Sequence, residues 1–211
     1  MVKKVTVSTL QKSKDNGEKF SVLTAYDYST AKYLDEAGID VILIGDSLAM
    51  VALGYETTHS VGVEEMTIFT RAVAKGVERA FVITDMPFLS YHTDIAVAVK
   101  NCGEMIKCGA NAVKIEGFGD YIVEVVKRLT QSGIPVVSHL GFTPQFINTL
   151  GGYKIQGKTE EAAQELLKQA KELQKAGAFA ILLEMVPQET EKYITENLEI
   201  NQKSFRQQIQ K

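Results

Sequence analysis

The chain has 211 residues, 45% of them hydrophobic and 23% charged, a make-up that suits a globular protein with one sizeable core. A net charge of -3 and a pI near 5.7 leave no basic face for a phosphate backbone, so nucleic acid is not an expected partner. The early lysines are followed by no continuous apolar stretch and no later run is long enough to cross a bilayer, so a cytoplasmic protein without a signal peptide or membrane partner is expected.

In chain order, a short helix over residues 8–14 precedes a first strand over 20–23 and is placed to close the bottom of a barrel. Strands then follow at 41–44, 80–83, 112–115, 135–137 and 179–183, each short, continuous and β-branched, as strands buried on both faces are. Between them the spacing predicts helices over 29–37, 64–75, 94–108, 121–132 and 159–176, with a sixth over 188–198. Ser29 and Asp94 read as N-caps, and Ile122, Val125, Val126 and Leu129 make one apolar stripe. Gly38, Gly76, Gly109, Gly133 and Gly177 each close a helical stretch just before a strand, as helix C-caps do.

Strict βα alternation means a parallel sheet with helices outside. The turn after the first strand, LTAYDYSTA, is not the glycine-rich turn of a nucleotide-binding open sheet, and polar residues end strand after strand, as at the carboxyl rim of a barrel. Residues 1–200 therefore read as one partial barrel. Residues 201–211, NQKSFRQQIQK, read as a divergent tail with no strand-like run.

Asp46 follows VILIG and Asp85 follows FVIT, two carboxylates at equivalent strand ends that suit a hard cation such as Mg2+ with substrate oxygens completing its shell. Either alone reads first as a turn or capping residue, but two in register, with more polar strand ends to follow, favour the metal reading. Lys114 and Glu116, two apart in AVKIEG, point to one face of their strand; they form either a mutually satisfied ion pair or a lysine for an anionic substrate beside a carboxylate near the metal. His139 ends the next strand, where it contacts substrate or moves a proton, or is simply a hydrogen-bonded core histidine. Glu184 ends AFAILL at the mouth of an apolar strand, an environment that raises its proton affinity toward that of a general base. His59 and His92 lie in rim loops without ligand spacing, and Cys102 and Cys108 lack the CxxC spacing of metal or redox sites. Residues 152–159, GYKIQGKT, match the P-loop pattern but do not follow a strand directly, so a glycine-rich lid is the expected role.

Taken together and in order, VLTAYDYSTAKYLDEAGID, LIGDSLAM, TDMPFLSY, GANAVKIEG, SHLGFTPQ and GGYKIQGK resemble the ketopantoate hydroxymethyltransferase family. The resemblance implies a (β/α)8 TIM barrel of the phosphoenolpyruvate/pyruvate type, of which this chain supplies about six of the eight βα units. It also implies Asp46 and Asp85 as Mg2+ ligands with Glu116 in the metal environment. Ser47 and Lys114 hold the oxo acid, and Glu184 is the catalytic base. The implied substrates are 3-methyl-2-oxobutanoate and the one-carbon donor 5,10-methylenetetrahydrofolate, and the implied assembly is a homo-oligomer, a decamer in the family. Two competing readings are a non-catalytic truncated remnant of such an enzyme and a phosphonopyruvate-type Mg2+-dependent lyase or mutase.

Overall fold

A computed structural model of the chain describes residues 3–205. The elements run α1 (Val7–Asp15), β1 (Val22–Thr24), α2 (Tyr28–Glu36), β2 (Val41–Ile44), α3 (Leu48–Val51), α4 (Val63–Gly76), β3 (Phe81–Asp85), α5 (Ile95–Lys107) and β4 (Ala112–Glu116). They continue with α6 (Asp120–Gln131), β5 (Val136–Gly141), α7 (Ile147–Leu150), α8 (Glu160–Ala176), β6 (Ala180–Glu184), α9 (Gln188–Glu196) and β7 (Asn201–Phe205). Short 3₁₀ turns at Thr58–Ser60 and Pro144–Phe146 lie in the loops after β2 and β5. The strands form one parallel sheet in sequential order β1 to β7, curled with the helices outside, which is the expected barrel architecture.

Successive strand residues point to opposite faces, and the two faces build two apolar layers. Ile42, Ile44, Val82, Val113, Ile115, Ile181 and Leu183 pack against the helices, including the buried stripe Ile122, Val125, Val126 and Leu129 of α6. Each of those α6 side chains contributes about 1.5–3 kcal/mol by burial. Val41, Leu43, Phe81, Ile83, Ala112, Val137, Ala180 and Leu182 fill the inside of the curl, and Leu10 of α1 closes it from below, as the sequence led us to expect.

Four of the five punctuating glycines, Gly38, Gly109, Gly133 and Gly177, have positive φ after a helix. Gly76 differs. It is the last residue of α4, and a Cβ there would lie 2.5 Å from the Tyr28 carbonyl oxygen and 3.1 Å from Lys32 N, so its glycine serves the close approach of α4 to α2. The N-cap of α2 is Asp27, not Ser29: its carboxylate accepts from Thr30 N at 2.8 Å and from the Thr30 hydroxyl at 2.6 Å. Asp94 caps α5 as expected.

The tail holds a strand that its sequence conceals. Asn201–Phe205 pairs in parallel with β6, Ala180 opposite Asn201 through Glu184 opposite Phe205. NQKSF lacks the apolar run by which the other strands are recognised; what makes it a strand is the ladder offered by the free edge of β6. Residues 206–211 of the expected tail lie outside the described residues. Among the described residues, six βα units and a seventh strand are present, and no ladder joins β7 to β1.

Candidate active site at the carboxyl rim

The inner face of each strand changes character on rising toward its carboxyl end. On β3 the sequence is Phe81, Ile83, Asp85; on β4 Ala112, Lys114, Glu116; on β5 Val137, His139; on β6 Ala180, Leu182, Glu184. Parallel register sets Asp85 opposite Lys114 and Glu116 opposite His139, so the polar ends meet in one layer above the apolar one.

Lys114 Nζ lies 3.0 Å from Asp85 Oδ2, 3.3 Å from Glu116 Oε1 and 3.3 Å from His139 Nδ1. His139 Nδ1 is 3.1 Å from Glu116 Oε1, and its Nε2 is 3.4 Å from Glu184 Oε2. Asp46, one residue beyond Gly45 at the end of β2, donates its backbone N–H to Asp85 Oδ2 at 3.1 Å. The Ser47 hydroxyl shares a hydrogen bond of 2.9 Å with the Tyr26 hydroxyl. Asp46, Asp85, Lys114, Glu116 and His139 are all buried, whereas Ser47 is half-buried and Glu184, 14% exposed at its side chain, opens toward solvent. Every site residue singled out in the sequence thus comes to one rim.

One lysine faces four carboxylates. Burial and the like charges of Asp85 and Glu116 push the Asp46 carboxyl up to about 8, against the opposing pull of Lys114. Burial likewise raises Asp85, with Lys114 opposing. Burial alone would raise Glu116 too, but Lys114, His139 and the hydrogen bonds it accepts draw it down to about 2. Burial would lower Lys114, yet Asp85, Glu116 and Asp46 together hold it well above the ordinary lysine value. Glu184 is raised by burial, with His139 and Lys114 opposing.

Glu116 has both oxygens engaged, Oε1 by His139 and Lys114 and Oε2 by the backbone N–H of Gln145 at 3.0 Å. Asp85 Oδ1, by contrast, is buried with no hydrogen-bond partner. No group of three or more His, Cys, Asp or Glu among the described residues is arranged to hold a metal by itself.

Gln145 was not singled out as a site residue, although it ends the motif SHLGFTPQ; Pro144 starts the 3₁₀ turn that turns it inward, where it is 3% exposed. Tyr91, fully buried beside it, likewise carries no sequence signal beyond ending the motif TDMPFLSY. His59 Nε2 meets the Gln145 carbonyl at 3.0 Å and its ring lies 4.5 Å from that of Phe88, while the His92 ring lies 4.0 Å from Tyr91 with both nitrogens buried and unpartnered. The P-loop match has the wrong setting: α7 separates it from β5, and Thr159 caps α8 by accepting from Ala162 N at 3.2 Å. Cys102 is buried and its thiol is pushed up to about 12, as expected of a packing residue.

Gly141 sets the position of Glu184. Its φ is +87°, and an added Cβ would collide with the Glu184 carbonyl oxygen and lie 2.8 Å from Val186 Cγ2. Gly17 has a similar φ of +69° with nothing within 4 Å. Gly17→Ala is therefore expected to cost about 1 kcal/mol, the left-handed penalty alone, and Gly141→Ala at least about twice that. In thermal melts this separates the two by several degrees, roughly 2–4 °C per kcal/mol; equal losses would mean that the close approach contributes nothing.

A curled parallel βα sheet whose inner faces turn acidic and cationic at the carboxyl rim defines a barrel-type enzyme with its site at that rim. Solved structures agree on the fold. Phosphonopyruvate hydrolase in complex with oxalate and Mg2+ superposes with a TM-score of 0.67 at 16% identity, covering 97% of this chain and 80% of that one. 2,3-Dimethylmalate lyase, a PEP mutase/isocitrate lyase superfamily member, gives 0.66 at 17% identity, covering 91% and 68%. The particular family is set by sequence: the ketopantoate hydroxymethyltransferase profile matches residues 4–202, and the chain belongs to that enzyme family. It is 54% identical over 198 residues to 3-methyl-2-oxobutanoate hydroxymethyltransferase of Clostridium novyi (strain NT), covering 93% of this chain and 72% of the relative. The Thermotoga neapolitana protein of the same name is 53% identical over 196 residues, with the same coverage. No helix among the described residues is long and apolar enough to cross a membrane.

Proposed function

We propose that this site transfers a hydroxymethyl group from 5,10-methylenetetrahydrofolate to 3-methyl-2-oxobutanoate, giving 2-dehydropantoate, in a cytoplasmic homo-oligomer. The observation that carries the reading is the placement of Glu184, partly open and raised in proton affinity, on the same rim as the buried Lys114–Asp85 pair and Asp46, with His139 between. A base of that kind matches the weakly acidic C3–H of a branched 2-oxo acid, and the buried cation matches its carboxylate.

The donor set fits Mg2+. Asp85 Oδ1 lacks a partner, and burial together with the like charges of Asp85 and Glu116 holds Asp46 at a raised proton affinity that a cation would relieve. Two aspartates suffice for an ion that keeps waters and substrate oxygens in its shell. Bound beside Asp46 and Asp85, Mg2+ supplies positive charge that offsets the negative charge developing on the oxo acid. Lys114 and the Ser47 hydroxyl hold the oxo acid, and Glu184 takes the proton from C3. His139 lies between Glu116 and Glu184, with Nδ1 3.1 Å from Glu116 Oε1 and Nε2 3.4 Å from Glu184 Oε2. Glu116 keeps Lys114 and His139 in place by accepting from both. The one-carbon unit is delivered at the formaldehyde level: both carbon–nitrogen bonds of the folate methylene break, water supplies the oxygen, and its two protons go to the two folate nitrogens. The carbanion at C3 attacks that carbon, forming the new C–C bond, and the resulting alkoxide takes back the proton that Glu184 removed.

Proton NMR in deuterium oxide tests the first half of this chemistry. With Mg2+ and 3-methyl-2-oxobutanoate but no folate, the C3 proton is expected to exchange. A folded, monodisperse sample that exchanges nothing would sink the proposal, and exchange confined to phosphonopyruvate-like acids would replace it with a lyase or mutase reading.

A further inference from the structure

The buried Gln145 joins three strand ends, and its amide can be oriented by hydrogen-bond logic alone. The backbone N–H of Glu116 can only donate, and it donates to Tyr91 Oη at 3.1 Å. That occupies Tyr91 as an acceptor, and its own proton goes to Gln145 Oε1 at 2.9 Å, a shorter bond than its alternative to the Glu116 carbonyl at 3.3 Å. Gln145 Nε2 must then face Asp46 Oδ2 and the Met86 carbonyl, each at 2.8 Å, and both its protons are used. The flipped amide would set its carbonyl oxygen against the Met86 carbonyl, which can only accept, with no proton between them. The same residue's backbone N–H donates to Glu116 Oε2, so one residue holds Asp46 through its side chain and Glu116 through its main chain.

We infer that Gln145 is a positioning residue for ligand binding: its amide pins one oxygen of Asp46, leaving the other for the cation and the oxo acid, and Tyr91 sets the amide's orientation. The inference rests on the proposed function. A glutamine suits the task because it donates without adding charge. A lysine in its place would neutralise Asp46 and compete with the ligand, and a glutamate would repel it.

Mn2+ binding, followed by the electron paramagnetic resonance signal of the free ion, tests this without relying on turnover. Gln145→Leu keeps the volume and removes the donor; it is expected to raise the Mn2+ dissociation constant about ten- to a hundredfold, as loss of a partner that orients a metal ligand does. C3 exchange falls in proportion at sub-saturating metal and is largely recovered at saturating metal. A merely structural role predicts a loss of exchange that added metal does not recover. Should Gln145→Leu fail to fold, Tyr91→Phe removes only the orienting hydroxyl, and a smaller weakening in the same direction is expected. Native protein that binds Mn2+ and exchanges, with both variants binding within about threefold of it, overturns the assignment to Gln145 alone. Native protein that does neither overturns the proposed function together with it.

Discussion

Lys114→Met lowers the melting temperature by on the order of 10 °C near neutral pH, because removing one partner of a buried ion pair costs about 3–5 kcal/mol. The lysine ammonium lies 3.0 Å from Asp85 and 3.3 Å from Glu116, and its removal takes the opposing positive charge from Asp85 and Asp46 and leaves Glu116 with His139 and the Gln145 N–H alone. Such groups do not stay charged in a dry interior; they take up protons, and that uptake grows more costly as pH rises. Glu116, held at about 2 in the native protein, contributes stability that is fully present above the ordinary glutamate value and is lost as pH falls from there to about 2. Its loss in the variant therefore tells at neutral pH and fades only below about pH 4, toward about pH 2. Circular-dichroism melts of both proteins across this range should converge at the acid end. A constant difference at all pH values would show that the ammonium group is not what is being felt, and an unchanged melt would show that the pair contributes nothing.

Glu184→Gln separates chemistry from stability. The amide keeps the size of the side chain, but it cannot take a proton from carbon, so C3 exchange is expected to fall by about 10²- to 10⁴-fold. The melting temperature should move by only a few degrees, since the group is partly open to solvent and sits at the rim. The native exchange rate should rise with pH as Glu184 loses its proton, with the inflection above the ordinary glutamate range because burial raises this carboxyl. His139 is the competing base. If Glu184→Gln retains exchange within tenfold while His139→Gln abolishes it, the roles of these two residues are reversed.

Much of this architecture is legible along the chain for identifiable reasons. Strands buried on both faces carry unbroken runs such as VILI, and the helix Asp120–Gln131 carries its four apolar residues at helical spacing. Asp27 was missed as the cap of α2 because Ser29, two residues on, is an equally good capping type, and only backbone conformation separates them. Gly76 has the sequence position of a C-cap glycine, yet it answers to a helix elsewhere in the chain. Gln145 leaves no periodic trace, since Met86 and Asp46 lie 59 and 99 residues before it.

What the sequence determined by itself was which chemical groups crown the barrel. Two-residue alternation along β3, β4, β5 and β6 carries Asp85, Lys114, Glu116, His139 and Glu184 to the inner face at the strand ends, whatever the neighbouring strands do. Only the tertiary structure decided their charge states and partners, because proton affinity depends on burial and on charges a few ångströms away. It also decided that NQKSF is a strand, because an edge already in place supplies the hydrogen bonds that its own residues do not signal.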